Sequence, residues 1–289
     1  MISKMREGLI SVRKIQKLFS LSLARSVILC SYREIGGNNM AYQTVFKRYE
    51  IKYLITLKQK DIVLQAIEPY MELDQYGRTT IRNIYFDTDN YRLIRRSIEK
   101  PAYKEKLRIR SYCQATPDST VFVELKKKYE KVVYKRRISL HERDAMKWLC
   151  GEMLCPKNTQ ISREIDYFKE FYGELRPSVF LSYEREAYYE RCGGDFRVTF
   201  DDHILCRQED IFLTSPAYGT SILDEGLVMM EIKCSGGIPL WMVEALSRER
   251  IYKTSFSKYG TAYSTLIFPE IYLPNSMKHK EIITNGCNI

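Results

Sequence analysis

The chain has 289 residues, 45% of them hydrophobic, with 22 tyrosines and a formal charge of +10 at pH 7. This is enough for one large all-β or α+β domain or two small ones, and a mean hydropathy of −0.35 excludes a membrane protein by composition. Eight cysteines without framework spacing and only three histidines argue against a disulfide scaffold, a structural zinc site or any metal cluster, and favour reduced thiols in the cytoplasm.

Residues 1–40 carry seven Lys/Arg and two acids, so that segment accounts for +5 of the charge and the rest of the chain for the other +5. The apolar run at 18–24 is broken by Arg25 and fits no membrane span. Residues 1–40 are expected to be a basic leader outside the functional protein, with Met40 as the working start. The domain itself is expected over 41–270, followed by a tail at 271–289.

Period-two patterns predict strands near 45–55, 79–87, 104–112, 120–128, 131–139, 179–188, 196–206 and 227–234. Between the first two, Thr56-x-x-Gln59 reads as a capping box opening a helix. Thr116-Pro117-Asp118-Ser119 reads as a turn, and the next two strands as a hairpin. Ser139-x-x-Glu142 is expected to cap a second helix, Ile161, Ile165 and Phe168 mark a third, and Pro239 starts a fourth. The sum is an α+β protein: a closed antiparallel β-barrel of about eight strands, with helices packed outside. Closure removes sheet edges and separates a charged inside from an apolar outside.

The charges are sorted by face. Successive side chains of a strand point to opposite sides, so Lys104, Lys106, Arg108, Arg110 and Tyr112 form one ladder. Glu50 and Lys52 share a face, as do Glu124 and Lys126, Tyr183 and Arg185, Arg197 with Thr199 and Asp201, and Glu231 and Lys233. A single such strand is ordinarily a solvated face. The recurrence across many strands, with E-x-K three times, suggests a shared lumen suited to a chain of phosphates. Carboxylates there suit a divalent metal such as Mg²⁺ or Mn²⁺, and Arg and Lys suit phosphate oxygens. Nucleic acid is not expected as a ligand, because aromatics mostly alternate with the cations instead of sharing their face; Tyr112 and Tyr183 are the exceptions.

These residues resemble the VTC domain of polyphosphate polymerases, a branch of the triphosphate tunnel metalloenzymes. The resemblance covers roughly residues 44–268. It is carried by RYEIKY from Arg48, IYFDT from Ile84, KLRIRSY from Lys106, VFVELKKK from Val121, SYEREAY from Ser182, FRVTFDD from Phe196, MEIK from Met230 and FSKYG from Phe256. Many tunnel enzymes begin with E-x-E-x-K, whereas Arg48 holds the first acidic place here. That departure favours the VTC branch over a cyclase or a thiamine triphosphatase.

The resemblance implies a metal-dependent phosphotransferase that moves the γ-phosphoryl group of a nucleoside triphosphate onto polyphosphate. Arg108, Arg110, Lys126, Arg185 and Arg197 would be catalytic. Lys52, Arg82, Lys106, Lys233, Lys258 and Tyr183 would bind substrate. Glu231 would hold the Mn²⁺ or Mg²⁺, with Glu50 and Glu124 as further candidates. The alternatives are a metal-dependent tripolyphosphatase, with Glu50 or Glu124 as base, and a non-catalytic polyphosphate-binding module. Any membrane association is expected to come through a membrane-protein partner.

Overall fold

The computed structural model describes residues 49–272 other than residue 131. The leader expected at 1–40 and nearly all of the tail lie outside the described residues. All eight predicted strands are present: β1 (Tyr49–Thr56), β3 (Thr79–Asp87), β4 (Tyr103–Tyr112), β5 (Thr120–Tyr129), β6 (Val132–His141), β7 (Arg176–Glu190), β8 (Arg197–Arg207) and β10 (Leu227–Cys234). Three short strands, β2 (Met71–Leu73), β9 (Thr220–Ser221) and β11 (Lys253–Thr254), join them. All strand pairings described are antiparallel.

The main path is β11-β1-β10-β8-β7-β3-β4-β5-β6, with β2 beside β7 and β9 beside β8. The expected closed barrel is corrected here: among the described residues β11 and β6 are the free ends of this path, and hydrogen bonds do not close the sheet. Side chains nevertheless cross the gap, since Lys126 Nζ on β5 lies 3.2 Å from Glu50 Oε2 on β1. The sheet therefore curls until its two halves face each other.

Each strand's outward residues bury against helices. Leu107, Ile109, Val121, Val123 and Leu125 pack with Ala145, Trp148, Ile165 and Phe168 of α3 (Glu142–Leu149) and α4 (Gln160–Tyr172). Tyr53, Ile55, Val198, Phe200, Met230 and Ile232 pack with Val63 and Ile67 of α1 (Leu57–Ile67) and with Met242 and Leu246 of α5 (Leu240–Arg248). Thr56 caps α1 through the predicted box with Gln59. The box predicted at Ser139 does not form: β6 runs on to His141, so Ser139 stays in the strand, and α3 has no side-chain cap. Thr159 and Ser162 form the box that opens α4.

Not every helix lies outside. α2 (Arg92–Ile98) sits beside α6 (Lys258–Ala262), which runs into a π-helical turn (Tyr263–Ile267) and α7 (Phe268–Tyr272). Tyr259 of α6 stacks on Tyr85 with ring centroids 4.7 Å apart. Tyr85 hydrogen-bonds Arg108, so it belongs to the inner face. With Val179, Leu181, Met229 and Tyr263 these rings form an apolar cluster on that face. The expectation of helices only outside fails because one part of the inner face is apolar and needs a cover. Among the described residues no helix is long and apolar enough to cross a membrane.

Candidate active site

Register assembles the inner face row by row. Across β4 and β5, Lys104 faces Lys128, Lys106 faces Lys126, Arg108 faces Glu124 and Arg110 faces Phe122. β6 adds Lys135 beside Lys126 and Arg137 beside Glu124. In the other half, β1 pairs with β10 so that Glu50 faces Lys233 and Lys52 faces Glu231. Two of the E-x-K patterns thus interlock as a chequerboard. β8 and β7 place Asp201 opposite Arg185.

Two buried carboxylates organise the cations. Glu124 is 1% exposed. Its Oε2 accepts from Arg108 Nε at 2.8 Å, and its Oε1 accepts from Arg137 Nε at 2.7 Å and lies 2.7 Å from Lys135 Nζ. Asp201 is 0% exposed and takes a two-pronged bond from Arg185 at 2.6 and 2.7 Å, plus Lys258 Nζ at 2.6 Å. Burial alone would raise both carboxyl pKa values. The facing cations outweigh it and hold both groups well below the usual carboxylate range.

Other cations are left without such partners. Among the described ion pairs none includes Lys52, Lys106 or Arg110. Lys52 Nζ donates to the Phe256 carbonyl at 2.7 Å and Lys106 Nζ to Ser257 Oγ at 3.0 Å. Arg110, 8% exposed, donates to Asn83 Oδ1 at 3.0 Å and to the Tyr183 hydroxyl at 3.1 Å. The segment 256–258 is therefore laid across the cationic face, with Lys258 reaching Asp201 on the far side.

This crowding has a pH signature. Burial, together with Lys104, Lys126 and Lys52, pushes the Lys106 ammonium down to about 7, and burial pushes Lys52 to about 8 despite Glu231. A bound polyanion would raise both values again. Binding should then take up protons near pH 7.5, and affinity should be full below pH 7 and decline as pH rises through the higher bound-state values. Titration calorimetry with tripolyphosphate in buffers of different ionisation enthalpy would show the uptake; zero uptake would mean that both lysines keep their protons throughout.

The VTC domain model matches residues 47–267 of this sequence. The chain belongs to the VTC domain family. This is the polyphosphate polymerase-type domain of the triphosphate tunnel fold, so the protein has a phosphoryl-related function. Solved structures show similarity. Three of them are a proposed adenylate cyclase from Bacillus halodurans (15% identity, 72% of this chain and 92% of that one, TM-score 0.45), another from Vibrio parahaemolyticus (11%, 74% and 96%, 0.40), and a proposed adenylyl cyclase from Hippeastrum with a dominant triphosphatase activity (16%, 74% and 94%, 0.44). No curated protein matches the chain.

The VTC domain's inner face gathers most of the predicted site residues. Lys52, Lys106, Arg108, Arg110, Lys126, Tyr183, Arg185, Glu231, Lys233 and Lys258 all lie on it. Arg197 shares that face but sits at its end, with Nη2 3.7 Å from Asp74. Arg82 does not belong. Its strand mates Asn83 and Tyr85 point inward, so it points outward, where its guanidinium donates to the Ser215 carbonyl at 2.6 Å. Glu124 is also removed from the metal and base candidates, because both its oxygens are already held by cations.

Glu231 and Glu50 remain as metal candidates. Among the described residues no group of three or more His, Cys, Asp or Glu is placed to hold a metal. The VTC domain's own donors would thus supply only part of a coordination shell, which suits a small hard ion that keeps phosphate and water ligands. Glu231, 8% exposed, has a pKa of about 2: burial raises it, but Lys233 at 2.7 Å and the nearby Lys52 more than offset that. Opposite it on the same face, Thr199 Oγ1 is buried and has no hydrogen-bond partner among the described residues. A carboxylate held ionised beside an orphaned hydroxyl fits such an ion and its water.

Sequence reasoning passed over Lys135, Arg137, Asn83 and Tyr85 as site residues, and it noted Asp201 only as a face-mate of Arg197. The signal for Lys135 and Arg137 was present, as two cations at period two in the hairpin partner of β5. Its parity with Arg197 and Thr199 marked Asp201 as the inward member of the Asp201-Asp202 pair, but nothing in the sequence paired it with Arg185 and Lys258. Plain alternation sends Asp202 out to Arg78 and Asp201 in to Arg185, and the bulge, with His203 at φ 46°, follows them.

Proposed function

We propose that this VTC domain is a polyphosphate polymerase-type phosphotransferase, moving the γ-phosphoryl group of a nucleoside triphosphate onto the end of a polyphosphate chain. One observation carries the reading: Lys52, Lys106 and Arg110 share one face, and among the described residues none of them has a carboxylate at ion-pair distance. Buried cations without a directly bonded counter-ion are costly, and a polyanion bound along the face would supply one to each. The acceptor is already an anionic phosphate oxygen, so no general base is required. The work left for the protein is positioning and charge stabilisation.

In this reading Arg108 and Arg185, fixed by Glu124 and Asp201, grip phosphate oxygens in set directions. Arg110 adds a third guanidinium, and Lys52, Lys106, Lys126, Lys233 and Lys258 guide the chain as point charges. Arg197 meets it at the end of the face. Glu231, with Glu50 near it, would hold Mg²⁺ or Mn²⁺, which when bound offsets charge on the transferring group. The test is incubation with ATP and Mn²⁺ or Mg²⁺, followed by measurement of polyphosphate, ADP and free phosphate. Long chains with ADP are the expected result. Free phosphate without chains would instead mean a hydrolase, and binding without either product a polyphosphate-binding module.

A further inference from the structure

The inner-face ladder is polarised. Rows of a strand that share a face repeat about every 7 Å. Along β4 and β5 the first rows are lysine against lysine, Lys104 with Lys128 and Lys106 with Lys126. The next is Arg108 against Glu124, then Arg110 against Phe122. Tyr112 closes the series on the same face, one row beyond Arg110. A triphosphate gripped by Arg108 and Arg110 therefore has a lysine lane on one side, in which only Lys126 is met by a carboxylate (Glu50) among the described ion pairs, and an aromatic pair on the other. A phosphate chain is matched by the first, and a flat, uncharged ring system only by the second.

The aromatic pair is held in place from below. Tyr112 is 45% exposed, yet its hydroxyl accepts from Arg137 Nη2 at 3.2 Å. Its ring meets Phe122 edge-on, with centroids 5.7 Å apart and planes at 76°. The Arg137 guanidinium lies 4.5 Å from the Phe122 ring centroid. Arg137 is in turn bound to Glu124, the carboxylate that also holds Arg108. An exposed tyrosine at a strand end is ordinarily unremarkable and mobile. This one is tied at its hydroxyl to the group that sets the phosphate clamp, which fixes the ring relative to that clamp and lowers the entropy cost of using it.

We propose that Tyr112, braced by Phe122 and Arg137, is the platform on which the nucleobase of the donor triphosphate stacks. The proposal rests on the reading of a nucleoside triphosphate as donor. Stacking uses a ring face that every base has, so it gives affinity without choosing among bases. ATP and GTP are thus expected to bind alike.

Binding of ATP, GTP and inorganic tripolyphosphate is measured by calorimetry for the wild type, Tyr112→Ala and Tyr112→Trp. Tyr112→Ala should weaken ATP and GTP by roughly 5- to 100-fold, the range for losing one base–aromatic stack, and leave tripolyphosphate within about twofold. Tyr112→Trp should keep or tighten nucleotide binding. Retained tripolyphosphate binding also reports that the variant is folded; should Tyr112→Ala not fold, Tyr112→Leu against Tyr112→Trp makes the same comparison. Equal weakening of tripolyphosphate and ATP, or no weakening of either, would overturn the platform while leaving the donor reading standing. A wild type that binds tripolyphosphate but no nucleotide would overturn the donor reading and the platform with it.

Discussion

Glu231→Ala should lose roughly 10²–10³-fold in metal-dependent turnover, the range seen when a preorganised electrostatic stabiliser is removed, while keeping its grip on polyphosphate. Glu231 is the buried carboxylate of the chequerboard that stays ionised, beside the unpartnered Thr199 hydroxyl. A metal held there matters most when charge moves onto the leaving and attacking oxygens. Its removal also deletes a negative charge from a cationic face, so affinity for the chain should be unchanged or higher. Arg110→Ala gives the contrast, losing binding and turnover together. The two variants are compared by turnover at saturating metal and by tripolyphosphate affinity. Near-normal turnover in Glu231→Ala, or a binding loss matching that of Arg110→Ala, would show that Glu231 serves only as the ion-pair partner of Lys233.

Asp201→Ala should cost about 3–5 kcal/mol of folding stability, the effect of removing one partner from a buried ion pair. Asp201 is 0% exposed, and without it the Arg185 guanidinium and the Lys258 ammonium face each other with no anion between them. Their partial access to water keeps the cost from being larger. Added tripolyphosphate should stabilise this variant more than the wild type, because phosphate oxygens take the place of the lost carboxylate. Urea midpoints with and without the ligand measure both effects. A loss below about 1 kcal/mol, typical of exposed pairs, would mean that water already neutralises the cluster.

The long strands were legible because a period of two is strict and every residue of a strand reports it. The ladder of β4 could be read for the same reason, since its other face, Leu107 and Ile109, is as apolar as its own is charged. Periodicity sorts residues into two faces without saying which face is inside, and Arg82 shows the consequence. Ile84 and Phe86 share its parity and pack in the outer core, so the local signal against an inward Arg82 was there. Asp201 was legible as a face-mate of Arg197 and Thr199, but its bonds to Arg185 and Lys258 were not, because the period says nothing of which strands become neighbours. The inward position of α6 was equally hidden. The FSKYG motif marks that segment as similar to the family, but its placement depends on contacts with Lys52, Lys106 and Tyr85, all remote in sequence. Three strands of two or three residues are too short to show any period at all.

The pairing of β1 with β10 sets an order on how the protein comes into being. β1 is the first described strand to leave the ribosome, and its long partner in the sheet is almost the last. The hairpin of β5 and β6 can form as soon as both strands emerge, but Lys52 and Glu231 meet only after nearly the whole domain has been made. Loop closure of that length is slow compared with local pairing. Until then a nascent chain displays Lys52 without the strand that carries Glu231 beside it, close to ribosomal RNA. Truncation before β10 should therefore leave a soluble-looking fragment without a site, and mutations that slow β1–β10 docking should lower yield in cells more than they lower the stability of the finished protein.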